Sequence, residues 1–267
     1  MLTGLYQVGS RYAISATLEP AMTNGVDYQL SNGIARISMD DGKANIMSLA
    51  MLSALADAFD RAERDHAVVI LRSGRAGLFS AGFDVKVLAS GDVEASVAMV
   101  RSGAELALKL MQFPRPIVGA INGHAFPMGA FLLLACDARI GAHGAYRIGM
   151  NEVAIGISPP TFAIELARTR IHPAWLSRTV TLGEMFEPAD ALAAGFIDRL
   201  VPEAELDTTV ETTAAVVASF DPVAHRLAKT RLRAQAVIAM RAAIEEELSL
   251  DAYKARPLSS IVLPGGG

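Results

Sequence analysis

The strongest constraint on the fold is an alternation. Short β-branched runs recur between stretches of helical spacing from residue 26 to about residue 142. Residues 67–71 (AVVIL) read as a strand buried on both faces, 117–122 as another buried strand and 138–142 as a further strand. Ser48 is placed to cap a helix running to about residue 64, because Leu52, Leu55, Ala56 and Phe59 fall on one helical face. A second helix is predicted over residues 93–112, where Phe113-Pro114-Arg115-Pro116 stops it. Residues 26–30 and 34–39 read as a hairpin about Ser31-Asn32-Gly33. An apolar helix is expected at 129–136. After Pro159 the pattern is helical, at about 162–169, 173–182, 188–194, 203–220 and 222–253. That order predicts an α/β protein whose strands give way to helices. Residues 1–24 show no period and read as an N-terminal extension. Residues 25–200 form the core, and 201–267 a C-terminal helical region with a glycine-rich, frayed end.

Composition removes several functions. The 267 residues are 52% hydrophobic and 19% charged, with a formal net charge of −4. A nucleic-acid binder should carry a basic face, so no nucleic-acid partner is expected. Mean hydropathy is high, at +0.33. Yet the densest apolar run is Phe131-Leu132-Leu133-Leu134-Ala135, far short of the roughly 18 residues of a membrane span. No membrane partner is expected. A chain this apolar is expected to bury further surface by self-association. The single cysteine, Cys136, cannot form an internal disulfide and lies in an apolar run, which fits a reducing compartment and an inert thiol. Arg11 and Glu19 break up any leader-like apolar stretch. A cytoplasmic location is therefore expected.

No P-loop, no G-x-G-x-x-G after the first strand and no G-x-S-x-G elbow is present. The five histidines are scattered, without metal-ligand spacing, so no metal is expected. Two short glycine-bearing turns remain, Phe79-Ser80-Ala81-Gly82-Phe83-Asp84 and Asn122 through Ala130, each expected at the end of a buried strand. Small residues let backbone approach a ligand closely. An apolar helix follows the second turn, so its first N–H groups face the same place. Two such turns could aim two N–H groups at one oxygen. They could equally be ordinary strand-to-helix turns, which spacing alone favours.

Four segments, in order, resemble the crotonase superfamily, also called the enoyl-CoA hydratase/isomerase family. Asp41-Gly42-Lys43-Ala44-Asn45-Ile46-Met47-Ser48 resembles its K-x-N-A-[LM] segment, and Leu78-Phe79-Ser80-Ala81-Gly82-Phe83-Asp84 its A-F-[SC]-A-G-x-D signature. Residues 116–137, with Asn122-Gly123 and Cys136-Asp137, resemble the second signature. Gly183 through Ala189, Ala191, Gly195, Asp198 and Val201-Pro202 resemble the late pattern. The resemblance implies a spiral of ββα units with a C-terminal helical trimerisation region. It also implies homotrimers or hexamers, and an acyl-CoA thioester substrate whose coenzyme A is its own, with no separate cofactor. The oxyanion donors it implies are the N–H groups of Phe83 and Met128, the latter where the family usually has glycine. Ala81, Asp84, Val85 and Lys86 would lie along the coenzyme A. Asp84 is expected to brace its own loop, and Lys86 to reach a phosphate or lie in solvent. His124 reads as a turn residue and Trp175 as packing. Lys229 and Arg233 are expected on a solvated helix face, or at coenzyme A phosphates.

Family hydratases grip water between two glutamates. Their first position is Phe131 here, and their second falls in Gly149-Met150-Asn151-Glu152. One glutamate is absent and one is kept. The Asn151-Glu152 pair resembles that of mitochondrial-type Δ3,Δ2-enoyl-CoA isomerases, where a single carboxylate moves a proton. Walled by Phe131, Phe162 and Met128, Glu152 would be desolvated and its pKa raised. The plain alternative for Glu152 is a surface carboxylate beside a turn. The enzyme expected is an isomerase. The alternatives are a hydratase or other thioester chemistry, or an acyl-CoA-binding protein without turnover.

Overall fold

The computed structural model describes residues 24–254. All but the last residue of the expected extension, and the glycine-rich end, lie outside the described residues. The chain opens with an antiparallel hairpin of β1 (Val26–Ser31) and β2 (Ile34–Met39). Its turn residues Asn32 and Gly33 both have positive φ, at 53° and 72°, which suits the twist of a two-residue hairpin. A two-residue strand, β3 (Ile46–Met47), precedes α1 (Leu49–Arg64). The Ser48 hydroxyl caps α1 by accepting the Met51 N–H at 3.3 Å.

The next unit holds β4 (Val68–Ser73), β5 (Gly77–Ser80), β6 (Gly82–Phe83), α2 (Val85–Ala89) and α3 (Val93–Gln112). Then come β7 (Ile117–Ile121), β8 (Gly123–Ala125) and α4 (Pro127–Ala135). After them follow β9 (Ala138–Ala142), β10 (Ile148–Gly149) and α5 (Thr161–Arg170). The remainder is α6 (Leu176–Val180), β11 (Met185–Phe186), α7 (Pro188–Ala194), β12 (Arg199–Val201), α8 (Leu206–Ala218), α9 (Pro222–Glu247) and α10 (Leu250–Lys254).

The repeat is a ββα unit. In successive units β4, β7 and β9 join a six-stranded sheet of order β1-β2-β4-β7-β9-β12, while β5, β8 and β10 join a second sheet of order β11-β10-β8-β5. The central strands β4 and β7 of the large sheet are buried on both faces, which explains their β-branched runs. Alternate residues divide: Val69 and Leu71 of β4 enter the main core with α1, α3 and α4, whereas Val68 and Ile70 meet Leu206, Val210 and Ala214 of α8.

Three expectations change. The short strands of the second sheet carried no periodic signal, since two to four residues hold barely one alternation. The expected helix over 222–253 breaks after Glu247, where the Ser249 hydroxyl accepts the Ala252 N–H and starts α10. Lys229 and Arg233 are not on a solvated face or at a phosphate. They are 6% and 5% exposed and grip Asp137 at 2.7 and 2.9 Å. Asp137 also accepts the Ile117 N–H, so one carboxylate joins α9 to the large sheet.

Candidate active site

The candidate residues follow three neighbouring strands of the second sheet. Strands β5, β8 and β10 are parallel, with Ser80 opposite Ala125 and Ala125 opposite Ile148. Counting forward from that row along each chain reaches Phe83, Met128 and Glu152. All three therefore leave the carboxyl ends of neighbouring parallel strands, where open α/β sheets place ligands. Close approach of the strands demands glycine. A Cβ on Gly123 would lie 1.8 Å from the Gly77 carbonyl carbon, so no other residue fits there.

The first turn passes through Gly82, whose φ of +84° favours glycine. A Cβ built on Gly82 would sit 3.6 Å from the Met128 amide nitrogen, so the backbones of the two turns touch. Helix α4 starts at Pro127, two residues before the expected start, because proline suits a first helical position. Its first intrahelical bond runs from the Ala130 N–H to the Phe126 carbonyl at 2.9 Å. The Met128 N–H precedes that bond, and no side chain caps the helix. The Met128 side chain is fully buried and directed at α3. A Cβ on Gly103 would meet its Sδ at 3.0 Å and the Phe83 ring at 2.6 Å. The methionine thus keeps its N–H near Gly82 while its bulk packs elsewhere.

Around this turn, Ala81 is half-buried and Asp84 caps α2 by accepting the Lys86 N–H at 2.9 Å. Val85 and Lys86 are exposed on the first turn of α2. Asp84 braces its own loop, as expected.

Glu152 is not a surface carboxylate. It is 6% exposed, and neither carboxylate oxygen has a hydrogen-bond partner. Burial pushes its pKa up from 4.5 to about 7. Its backbone is held, because its carbonyl accepts the N–H groups of Ile155 and Ile157 at 3.0 and 2.9 Å. Asn151, half-buried, precedes it. Phe131 is buried, with its ring edge-on to Phe162 at 5.7 Å, an apolar pair that offers water no partner.

Other residues have ordinary employment. His124 Nδ1 accepts the Arg147 N–H at 3.1 Å. Trp175 packs edge-on to Phe186 at 5.4 Å. The Cys136 thiol is buried, which pushes its pKa up to about 12. Among the described residues no cluster of three or more histidine, cysteine or acidic side chains could hold a metal, and no helix is long and apolar enough to cross a membrane. Sequence reasoning missed Gly103. Its signal was a glycine inside a helix, a choice costing about 1 kcal/mol against alanine unless packing requires it.

Relatives share this arrangement of elements. A solved enoyl-CoA hydratase/isomerase family protein from Pseudomonas syringae is 39% identical and superposes with a TM-score of 0.81, over 84% of this chain and 96% of its own. Human mitochondrial enoyl-CoA delta isomerase 1 is 32% identical over 204 residues, 75% of this chain and 68% of that protein. The 2,3-dehydroadipyl-CoA hydratase of Escherichia coli is 29% identical over 210 residues, 77% of this chain and 80% of that protein. Residues 29–256 match the enoyl-CoA hydratase/isomerase profile, a span that begins within β1 and includes all three strand ends. The chain belongs to the enoyl-CoA hydratase/isomerase family.

Proposed function

We propose that this enzyme shifts the double bond of a 3-enoyl-CoA to give the conjugated 2-enoyl-CoA. The observation that carries the reading is Glu152, a buried carboxylate with two unpartnered oxygens. A pKa of about 7 suits a group that must take a proton and return it in one turnover. The thioester oxygen would accept the Phe83 and Met128 N–H groups. Glu152 would remove a proton from C2, and the electron pair of that C–H bond would pass into the carbonyl to give a dienolate. The same proton would then be delivered to C4 as the double bond forms between C2 and C3. Proton and charge balance within the substrate, no water is consumed, and no cofactor or metal is called on. Ala81, Asp84, Val85 and Lys86 would flank the coenzyme A, and Asn151 would stand beside the base.

Phe131 argues against hydration, which needs a second polar group to hold the water. The named hydratase among the relatives is the observation on the other side. Apolar side chains left exposed on α8 and α9, such as Val216, Leu232 and Ile238, support self-association into a trimer or hexamer. A cytoplasmic location fits the lone buried thiol. Product analysis tests the reading. A 3-enoyl-CoA is expected to yield the conjugated thioester, seen by its ultraviolet absorbance. With a 2-enoyl-CoA as substrate, efficient formation of a 3-hydroxyacyl-CoA would favour the hydratase, and binding of both substrates without turnover of either would favour a non-catalytic acyl-CoA-binding protein.

A further inference from the structure

Ser80 touches both donor-bearing turns. It ends β5 and is fully buried. Its Oγ accepts the Gly82 N–H at 3.0 Å and donates to the Asn45 carbonyl at 2.7 Å. The peptide leading to Phe83 is thereby tied on one side. On the other, the Ser80 main-chain carbonyl accepts the Phe126 N–H at 2.9 Å, two residues before Met128. The Ser80 Cβ also lies flush against α4, since a Cβ on Gly129 would sit 2.8 Å from it. Asn45 is itself immobilised. Its Nδ2 donates to Ser73 Oγ at 2.8 Å, the Phe79 carbonyl at 3.0 Å and the Met39 carbonyl at 3.2 Å.

We propose that Ser80 is the positioning residue that sets the spacing of the Phe83 and Met128 N–H groups. It acts through the backbone and does not touch substrate. The proposal rests on the reading that these two N–H groups form the oxyanion site. A hydroxyl suits the position because it donates and accepts at once in the smallest volume. Alanine would take the hydroxyl away from both the Gly82 N–H and the Asn45 carbonyl and leave the turn without that tie. A side chain with a further branch would press on Gly129. Donors stabilise an oxyanion only within a narrow distance range, and complete loss of one costs about 10²- to 10³-fold in kcat. Loosening both without removing either should cost less, roughly 10- to 100-fold in kcat, because the interaction strengthens in the transition state, with KM nearly unchanged.

The experiment is isotope-edited vibrational spectroscopy of bound butyryl-CoA labelled with carbon-13 at the thioester carbonyl. This saturated substrate analogue reports carbonyl polarisation without turning over. The wild type should lower the carbonyl frequency relative to free butyryl-CoA. Ser80→Ala should retain only part of that shift, and Ser80→Cys, with a weaker donor and acceptor, should fall between. Gly129→Ala, which pushes α4 off Ser80, should also reduce it. Ser80→Cys and Gly129→Ala decide the matter should Ser80→Ala not fold. Phe59→Leu, in the core against Phe113, controls for stability and should leave the shift intact. A full shift and wild-type kcat in the Ser80 and Gly129 variants would overturn the proposal while leaving the oxyanion site standing. No shift in the wild type would remove the oxyanion site itself, and the proposal with it.

Discussion

At the scale of single residues, the proposed reaction rests on one carboxylate kept from water. Glu152→Gln should lower turnover by about 10²- to 10⁴-fold, the usual worth of a positioned proton transfer, while acyl-CoA binding persists by calorimetry. The rate for wild type should rise with pH through about 7 as Glu152 ionises. Stability should run the other way. The folded-state pKa lies above the unfolded value of 4.5, so burial is unopposed below about pH 4.5 and becomes costly as pH rises through 7. Wild type should lose on the order of 3 kcal/mol across that window. Glu152→Gln should lose less, and denaturant titrations at pH 5 and pH 8 would check it. An equal loss in both proteins would mean the carboxylate is solvated. The burial of Glu152 was not legible from its own neighbours, as most glutamates are exposed. The family resemblance singled it out, and the unpartnered oxygens supply the physical reason.

At the scale of elements, α4 explains what the chain pattern revealed and what it hid. Its eight buried residues announce a central helix. Having no polar residue to satisfy its last carbonyls, it borrows donors from afar. Arg170 donates to the carbonyls of Leu134 and Cys136, and Arg233 to those of Ala135 and Cys136, a cationic end that complements the helix dipole. Nothing local to Lys229 or Arg233 marks them as buried, because their partner Asp137 lies on the far side of the sequence. The central strands β4 and β7 of the large sheet were legible for the converse reason, since burial on both faces writes itself into nearly every residue. Asp137→Ala would leave two buried cations unpaired and should cost about 3–5 kcal/mol in denaturant unfolding. A cost below about 1 kcal/mol, the worth of a surface pair, would show that the cluster is solvated.

At the scale of the whole molecule, the ββα repeat brings three separate stretches of sequence to the ends of three neighbouring parallel strands. Motif order made that repeat readable, while the register that aligns Ser80, Ala125 and Ile148 became visible only in three dimensions. Leu232, 82% exposed on α9, belongs to the surface proposed to self-associate. Leu232→Glu combined with Ile238→Glu should shift the protein to smaller species in light scattering, and unchanged mass would place the interface elsewhere. Proton transfer by Glu152 is tested most directly by a paired assay of wild type and Glu152→Gln with 3-enoyl-CoA and 2-enoyl-CoA. Wild type should conjugate the 3-enoyl substrate and hydrate the 2-enoyl substrate poorly, with the variant losing most of the first rate. Efficient hydration by wild type, or conjugation undiminished in the variant, would contradict a single-glutamate isomerase.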